Sequence, residues 1–436
     1  MSNEAATLIG FGVLFVLMAM RVPIGFAMVI VGFTGFGFLT SWDAALFKLG
    51  DDPFGATNEY ILVVIPLFLL MGQFASRAGL SKELFDGVHR LVGHFRGGLA
   101  IAGIGAAASF AAICGSSVAT AGTMAKVALP EMRRYGYADS LSTGSLAAGG
   151  TLGILIPPSI VLAIYGIIAE QNIGALFIAG VIPGVLAMVM YMLTISIITR
   201  LNPSLAPQHK KGEIDRPDEE RTKLTGLLWV GGLFGLVIGG LYTGAFTPSE
   251  AAGIGSAAAL GIAVIRRRID FAGVVSCLKE TARSSAAIFM IIIGAIVFQR
   301  FLAITRTPDQ LLDFFNSLGW GPTPVIIIVL FAFLLLGCVM DATAIIVLAI
   351  PVVLPLVTKL GFDLVWFGVI AVMVTELALI TPPVGLNVFV VKASAGDIRL
   401  STIYRGVIPF VICDILRLAI LVAFPIIVLY LPRSMF

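Results

Sequence analysis

Two proline pairs lie inside long apolar runs, Pro157-Pro158 in GILIPPS (153–159) and Pro382-Pro383 in LITPPVGLN (379–387). Proline lacks an N–H and clashes with the preceding helical turn, so a pair at mid-run breaks the helix and frees backbone carbonyls. Ser159, Thr381 and Asn387 stand at these breaks, and two other apolar runs are interrupted by GSSVAT (115–120) and GCVMDAT (337–343). In hydrocarbon, freed carbonyls persist only where they line a cavity or hold something. Carbonyl, hydroxyl, amide and carboxylate oxygens together form a cage suited to a hard cation such as sodium. The half-helix N-termini at each break and tip present positive dipole ends, which favour a carboxylate. The chemistry expected is therefore the holding of cations beside a small organic anion. A single Ser or Pro in an apolar helix usually bonds a carbonyl or makes a kink; the pattern carries weight because it occurs twice.

The elements that must position these residues are membrane helices. Of the 436 residues 58% are hydrophobic and 12% charged, where a soluble domain carries roughly a quarter charged. Mean hydropathy is +1.03, and runs near the length needed to cross a bilayer recur along the chain. They lack the alternation of an outer-membrane barrel. The spacing predicts an all-α polytopic protein with ten crossing helices, near 5–20, 23–40, 59–79, 138–170, 174–199, 224–243, 250–265, 284–304, 364–395 and 406–431. The runs 97–131 and 322–358 are too long for one span and broken at their middles, so they read as re-entrant hairpins. The first run shows no basic start or cleavage site and reads as a span rather than a signal peptide.

The two halves resemble each other. Pro157 and Pro382 are 225 residues apart, Pro183 and Pro409 are 226 apart, and Cys114 and Cys338 are 224 apart. Residues 1–201 and 224–436 each hold five crossing helices and one hairpin. An odd number turns the second copy upside down, which is the build of secondary transporters with a site between the repeats. Residues 202–223, rich in proline and charge, read as a cytoplasmic linker; its near-balanced charge argues against nucleic acid. Lys and Arg clustering predicts both termini on the periplasmic side of a bacterial inner membrane, the first hairpin entering from the cytoplasm and the second from the periplasm. Leu80–Phe95 and Ile269–Arg283 are amphipathic and read as interfacial helices along the cytoplasmic surface.

Other ionisable residues divide. Asp341 at a hairpin tip reads as a costly buried charge, hence functional. Asp414 and Arg417, three apart on one helix, read as a neutralising pair. Thr247-Pro248-Ser249-Glu250 reads as a capping box opening a helix. Glu376, at mid-span, stays open between a structural and a functional role. The cysteines Cys114, Cys277, Cys338 and Cys413 form no CxxC pair and read as core packing. No HExxH, Cys/His cluster, GxSxG or buried histidine supports a zinc site or an intramembrane enzyme. Channels repeat around a pore axis rather than upside down.

The blocks GSSVATAGTMAKVALPEM, GTLGILIPPSIVLAIYG, TPSEAAGIG and ITPPVGLNVFVV resemble the large membrane subunit of TRAP (tripartite ATP-independent periplasmic) transporters, from first span to last. That resemblance implies sodium-coupled uptake of an organic anion by an elevator motion, in which hairpins and broken helices move against a static scaffold. It implies two partners, a separate small four-helix membrane subunit and a periplasmic substrate-binding protein, and no cofactor beyond coupling ions. It implies a first sodium site at Ser116 or Ser117 with carbonyls near Gly153, Ile156 and Pro158. The second would use Asp341 or Thr343 with Thr381 and Val384. The substrate would lie between the tips, near Ser117, Ser159 and Asn387.

Overall fold

The computed structural model describes residues 2–207 and 225–435, so most of the proposed linker lies outside the described residues. The described chain is all helical. In the first half run α1 (Asn3–Ala19), α2 (Ile24–Leu39), α3 (Trp42–Thr57), α4 (Val64–Arg77), α5 (Leu80–Val92), α6 (Gly98–Cys114), α7 (Ser117–Arg134), α8 (Asp139–Leu155), α9 (Ile160–Ile168) and α10 (Ile173–Leu201). In the second run α11 (Thr225–Tyr242), α12 (Pro248–Ile265), α13 (Phe271–Ile304), α14 (Thr307–Ser317), α15 (Pro322–Gly337), α16 (Ala342–Lys359), α17 (Leu364–Ala378), α18 (Leu386–Ala395), α19 (Leu400–Ala423) and α20 (Ile426–Met435). Among the described residues six helices are long and apolar enough to cross a bilayer by themselves, and α8 with α9, bent by 42° at the break, makes a seventh. Helices of 10–17 apolar residues, among them α1, α2 and α17, fill the other predicted span positions.

Both long interrupted runs fold as helix pairs, α6–α7 and α15–α16, and both proline pairs break their helices, separating α8 from α9 and α17 from α18. The pairings between halves are reciprocal. α2 lies along α13 as α12 lies along α4, α8 along α19 as α17 along α10, and α7 along α18 as α16 along α9. Each pairing thus occurs twice with the halves exchanged, as a pseudo-twofold relation requires.

Small residues set the closest approaches. A Cβ on Gly144 of α8 would strike the backbone of Gly406 in α19, and one on Gly294 of α13 would strike the Gly25 backbone in α2. Without water to drive apolar association, such contact between backbones is a principal source of helix adhesion in a membrane. Thr247 caps α12 as expected: its hydroxyl accepts from the Glu250 N–H, and the Glu250 carboxylate accepts from Thr247 N at 2.8 Å. The described cysteines are free, three of them buried.

The structure corrects two expectations. Ile269–Arg283 is not a separate surface helix but the first part of α13, which runs unbroken for 34 residues. No proline and only Gly273 interrupts that stretch, so the helix propagates into the span. The amphipathic counterpart of α5 is instead α14, which like α5 stands between a long helix and a hairpin. The last predicted span, 406–431, is two helices, because the chain turns out of helical geometry at Phe424 before Pro425.

Candidate functional site

The first hairpin turns at Gly115, whose φ of 63° lies in the left-handed region. Ser116 follows as the N-cap of α7, its hydroxyl accepting from Ala119 N at 3.4 Å. This tip is seated on the first proline break. A Cβ on Gly115 would come within 2.8 Å of the Pro158 carbonyl oxygen, and one on Gly153 within 2.5 Å of the Ser116 carbonyl oxygen and 2.8 Å of Thr120 Oγ1. Glycine at both positions lets the tip and break backbones meet. The backbones of Ser116 and Gly153, and of Gly115 and Pro158, are therefore brought together. The break is buried from Pro157 through Ser159, and its peptide bond, like that of Pro382-Pro383, is cis. Ser159 caps α9, accepting from Leu162 N at 3.2 Å, so its hydroxyl is engaged by its own helix.

The second tip and break are laid out differently. Asp341 is exposed and caps α16, its Oδ1 accepting from Thr343 N at 3.0 Å and Ala344 N at 3.2 Å. The buried charge expected there is thus an exposed helix cap. Thr343 is half-buried beside it. At the break, Thr381 donates to its own helix at Leu377 O, 2.6 Å away, while Pro382, Pro383 and Val384 are exposed. Tyr404 of α19, which the sequence reading did not single out, places its hydroxyl 3.0 Å from the Pro383 carbonyl and 2.6 Å from the Val384 carbonyl. A phenolic donor thereby covers the carbonyl of Val384, a residue that the family resemblance assigns to a cation.

The first hairpin tip meets the second helix break at a buried point. Asn387, second residue of α18, donates from Nδ2 to Ser117 Oγ at 2.8 Å, and Ser117 donates to Glu376 Oε2 at 2.7 Å. Ser117 and Asn387 are fully buried and Glu376 is 2% exposed, so two of the three predicted substrate residues are sealed into a bonded chain and do not line an open groove. Glu376 Oε1, Asn387 Oδ1 and Thr120 Oγ1 are buried without hydrogen-bond partners. The sequence held one signal for Glu376, a carboxylate inside a long apolar run, but no signal for its partner 259 residues away.

A second buried polar cluster flanks this one. Asp414 and Arg417 pair at 2.9 Å, each 2% exposed, as their spacing suggests. Tyr191 of α10 donates to Asp414 at 2.6 Å and stands 3.0 Å from the Thr151 hydroxyl of α8. At the rim, Arg133 at the end of α7 donates to Asp139 at 2.8 Å and, through both terminal nitrogens, to Asp397 at 3.0 Å each. The guanidinium holds the exposed Asp397 carboxyl below the ordinary carboxylate value.

The family model described as "Tripartite ATP-independent periplasmic transporter, DctM component" matches residues 11–427. The chain is 36% identical over 380 residues to the C4-dicarboxylate TRAP transporter large permease protein of Pseudomonas aeruginosa, covering 87% of this chain and 86% of that one. It is 32% identical to the sialic acid TRAP transporter large permease protein of Vibrio cholerae, over 94% of this chain and 95% of its relative. The 2,3-diketo-L-gulonate TRAP transporter large permease protein of Escherichia coli is also 32% identical, over 96% and 97%. Among solved structures, the YdaH transporter of Alcanivorax borkumensis superposes with a TM-score of 0.59 over 88% of both chains at 15% identity, a likeness of fold alone.

Proposed function

Because this chain belongs to the DctM component family of tripartite ATP-independent periplasmic transporters, we propose that it is the large permease of a sodium-coupled uptake system for a small organic carboxylate. The cargoes named for its relatives, a C4-dicarboxylate, a sialic acid and a diketo-gulonate, all carry a carboxylate. The half-helix N-termini of α7, α9, α16 and α18 suit that group. A periplasmic binding protein delivers the cargo to a multi-pass protein of the inner membrane, and a small membrane subunit widens the scaffold.

The observation that carries the reading is the bond between Ser117 and Asn387, which joins the first hairpin tip to the second helix break at one buried point. A cargo between the repeats must part these groups, and a movement of the first hairpin relative to α18 does so. Sodium enters through two unlike sets of oxygens. The first comprises Ser116 or Ser117 with the carbonyls near Gly153, Ile156 and Pro158; the second comprises Asp341 or Thr343 with Thr381 and Val384. Burial at the first and exposure at the second support a cycle in which tips and breaks change sides by an elevator motion.

The test is uptake of a labelled C4-dicarboxylate into proteoliposomes holding this chain with its two partner proteins. Uptake is expected to follow an imposed sodium gradient and to stop when choline replaces sodium on both sides. Accumulation of equal size with and without the gradient overturns the coupling.

A further inference from the structure

Two arginines on long helices reach across to an amphipathic segment of the other repeat. Arg300 of α13 donates to both oxygens of Asp52 in α3, at 3.0 Å each. Arg77, the last residue of α4, donates to the Ser276 hydroxyl in the first part of α13 at 2.9 Å. The two bonds are counterparts across the repeats. Asp52 and Ser276 are 224 residues apart and Arg77 and Arg300 are 223 apart, close to the spacing of the proline pairs. They differ in what the arginine finds. A carboxylate meets the charge of a guanidinium, whereas a hydroxyl accepts one bond and leaves the charge standing. Arg77 is exposed and, among the described residues, has no carboxylate partner.

The faces around the two bonds differ in the same sense. On α3, Lys48 and Asp52 are closed over by Phe33 and Phe36 of α2 and by Val297 of α13, which leaves a cavity of about 10 Å³. On α13, the face carrying Phe271, Ala272, Val275, Ser276, Lys279 and Glu280 borders an open groove of about 510 Å³. Of the described residues, those of α13 alone line it, and Phe271 is 83% exposed. The repeat that covers this face with its own side chains is the one whose arginine has its anion.

The open groove lies at the depth of lipid headgroups. α13 has 34 residues, about 51 Å of helix, against about 30 Å of hydrocarbon. Its charged residues before Arg300 all fall between Lys279 and Arg283, so its first part is the length that stands outside hydrocarbon. Arg77 marks the same level, because it ends the apolar stretch Tyr60–Arg77. Arg267 and Arg268, exposed in the turn before α13, add to the positive field there.

We propose that this groove binds an anionic glycerophospholipid of the phosphatidylglycerol kind, whose phosphate gives Arg77 and Lys279 the anion that Asp52 gives Arg300. Phe271, Ala272 and Val275 take the start of an acyl chain, and Glu280 accepts from the headgroup hydroxyls. Arg77, Lys279 and Glu280 together carry one positive charge, which one phosphodiester neutralises. A headgroup with its own ammonium leaves that charge unmet, and a free phosphate leaves the apolar wall bare. The lipid thereby joins α4 to α13 where, in the other repeat, protein contacts alone join α13 to α3.

The test uses the full chain purified in detergent. Its thermal midpoint is followed as phosphatidylglycerol, phosphatidylcholine or inorganic phosphate is added at constant ionic strength. The wild type is expected to rise with phosphatidylglycerol and to rise much less with the other two. Arg77→Gln and Lys279→Gln are each expected to need several-fold more phosphatidylglycerol for the same rise. Ser276→Asp supplies Arg77 with the carboxylate its counterpart has, so it is expected to start from a higher midpoint and to lose most of the lipid response. If Arg77→Gln does not accumulate as folded protein, Lys279→Gln and Ser276→Asp carry the test through the same titration. Equal responses to the two lipids, or a phosphatidylglycerol response unchanged in every variant, overturn the site. A rise of the same size with inorganic phosphate makes the ligand a free anion and overturns the lipid assignment.

Discussion

At the first break Pro157, Pro158 and Ser159 are buried under a hairpin tip whose Gly115 lies against the Pro158 carbonyl. At the second, Pro382, Pro383 and Val384 face outward, and the Tyr404 hydroxyl bonds the last two of their carbonyls. The hairpins are anchored as differently as their tips are seated. The first ends in Arg133, which grips Asp139 and Asp397; the second ends in Lys359, 3.5 Å from Asp309 in an exposed pair. Two copies of one motif thus occupy opposite conditions, one closed and one reachable from outside. Repetition in sequence fixes the parts of a site, while packing decides which copy is shut.

Four experiments break or sharpen this comparison. The largest effect is expected from Gly153→Ala, whose methyl would meet the Ser116 carbonyl at 2.5 Å. Forcing tip and break apart by overpacking costs about 1–3 kcal/mol. The thermal midpoint is expected to fall and sodium-driven uptake to be lost. Unchanged uptake would mean that the first tip need not sit on its break.

Asp341 comes next, because its helix cap can be separated from its proposed cation role. Replacement by Ala removes the N-cap of α16, at about 1 kcal/mol, whereas Asn preserves it. Asp341→Asn is therefore expected to keep its thermal midpoint and to raise the sodium concentration needed for half-maximal uptake. If Asn and Ala behave alike in both assays, capping alone does not describe the residue.

Tyr404→Phe removes one hydroxyl shared by two carbonyls, worth about 1 kcal/mol or less where water can replace it. Its stability is expected to drop slightly, and its sodium dependence to shift if that hydroxyl competes with a cation for the Val384 carbonyl. A sodium response identical to the wild type would remove Tyr404 from the second site.

The smallest effect concerns the rim. Arg133 depresses the folded-state pKa of Asp397, so the stability from this contact is fully present above the unfolded carboxylate value, about 4. It fades as pH falls through the lower folded value. The midpoint difference between wild type and Asp397→Asn is expected to be small and constant from about pH 5 to 8, then to vanish in strong acid. A difference that changes near neutrality would show that another group governs the clasp.

Much of this architecture was legible in the residues. Paired prolines and the glycine-serine interruption are local chemistry, since they forbid a continuous helix whatever surrounds them. The Thr247 capping box is legible for the same reason. The unbroken α13 was misread because an amphipathic pattern reports which face is polar, not where a helix ends; only a breaker does that, and residues 283–285 hold none. Asp341 as a cap could have been read from an acidic residue just before a helix, but the expectation of burial obscured it. The Ser117–Glu376–Asn387 chain and the Tyr404 hydroxyl were beyond reach. Each is a meeting of distant or turned segments, and a single sequence carries no distances.

The glycine contact between α8 and α19 has a mechanical consequence. At Gly144 and Gly406 the two helices touch backbone to backbone, with no side chain between them to yield. A methyl added at either position has only main-chain atoms to meet, so it would have to push α8 and α19 apart along their length.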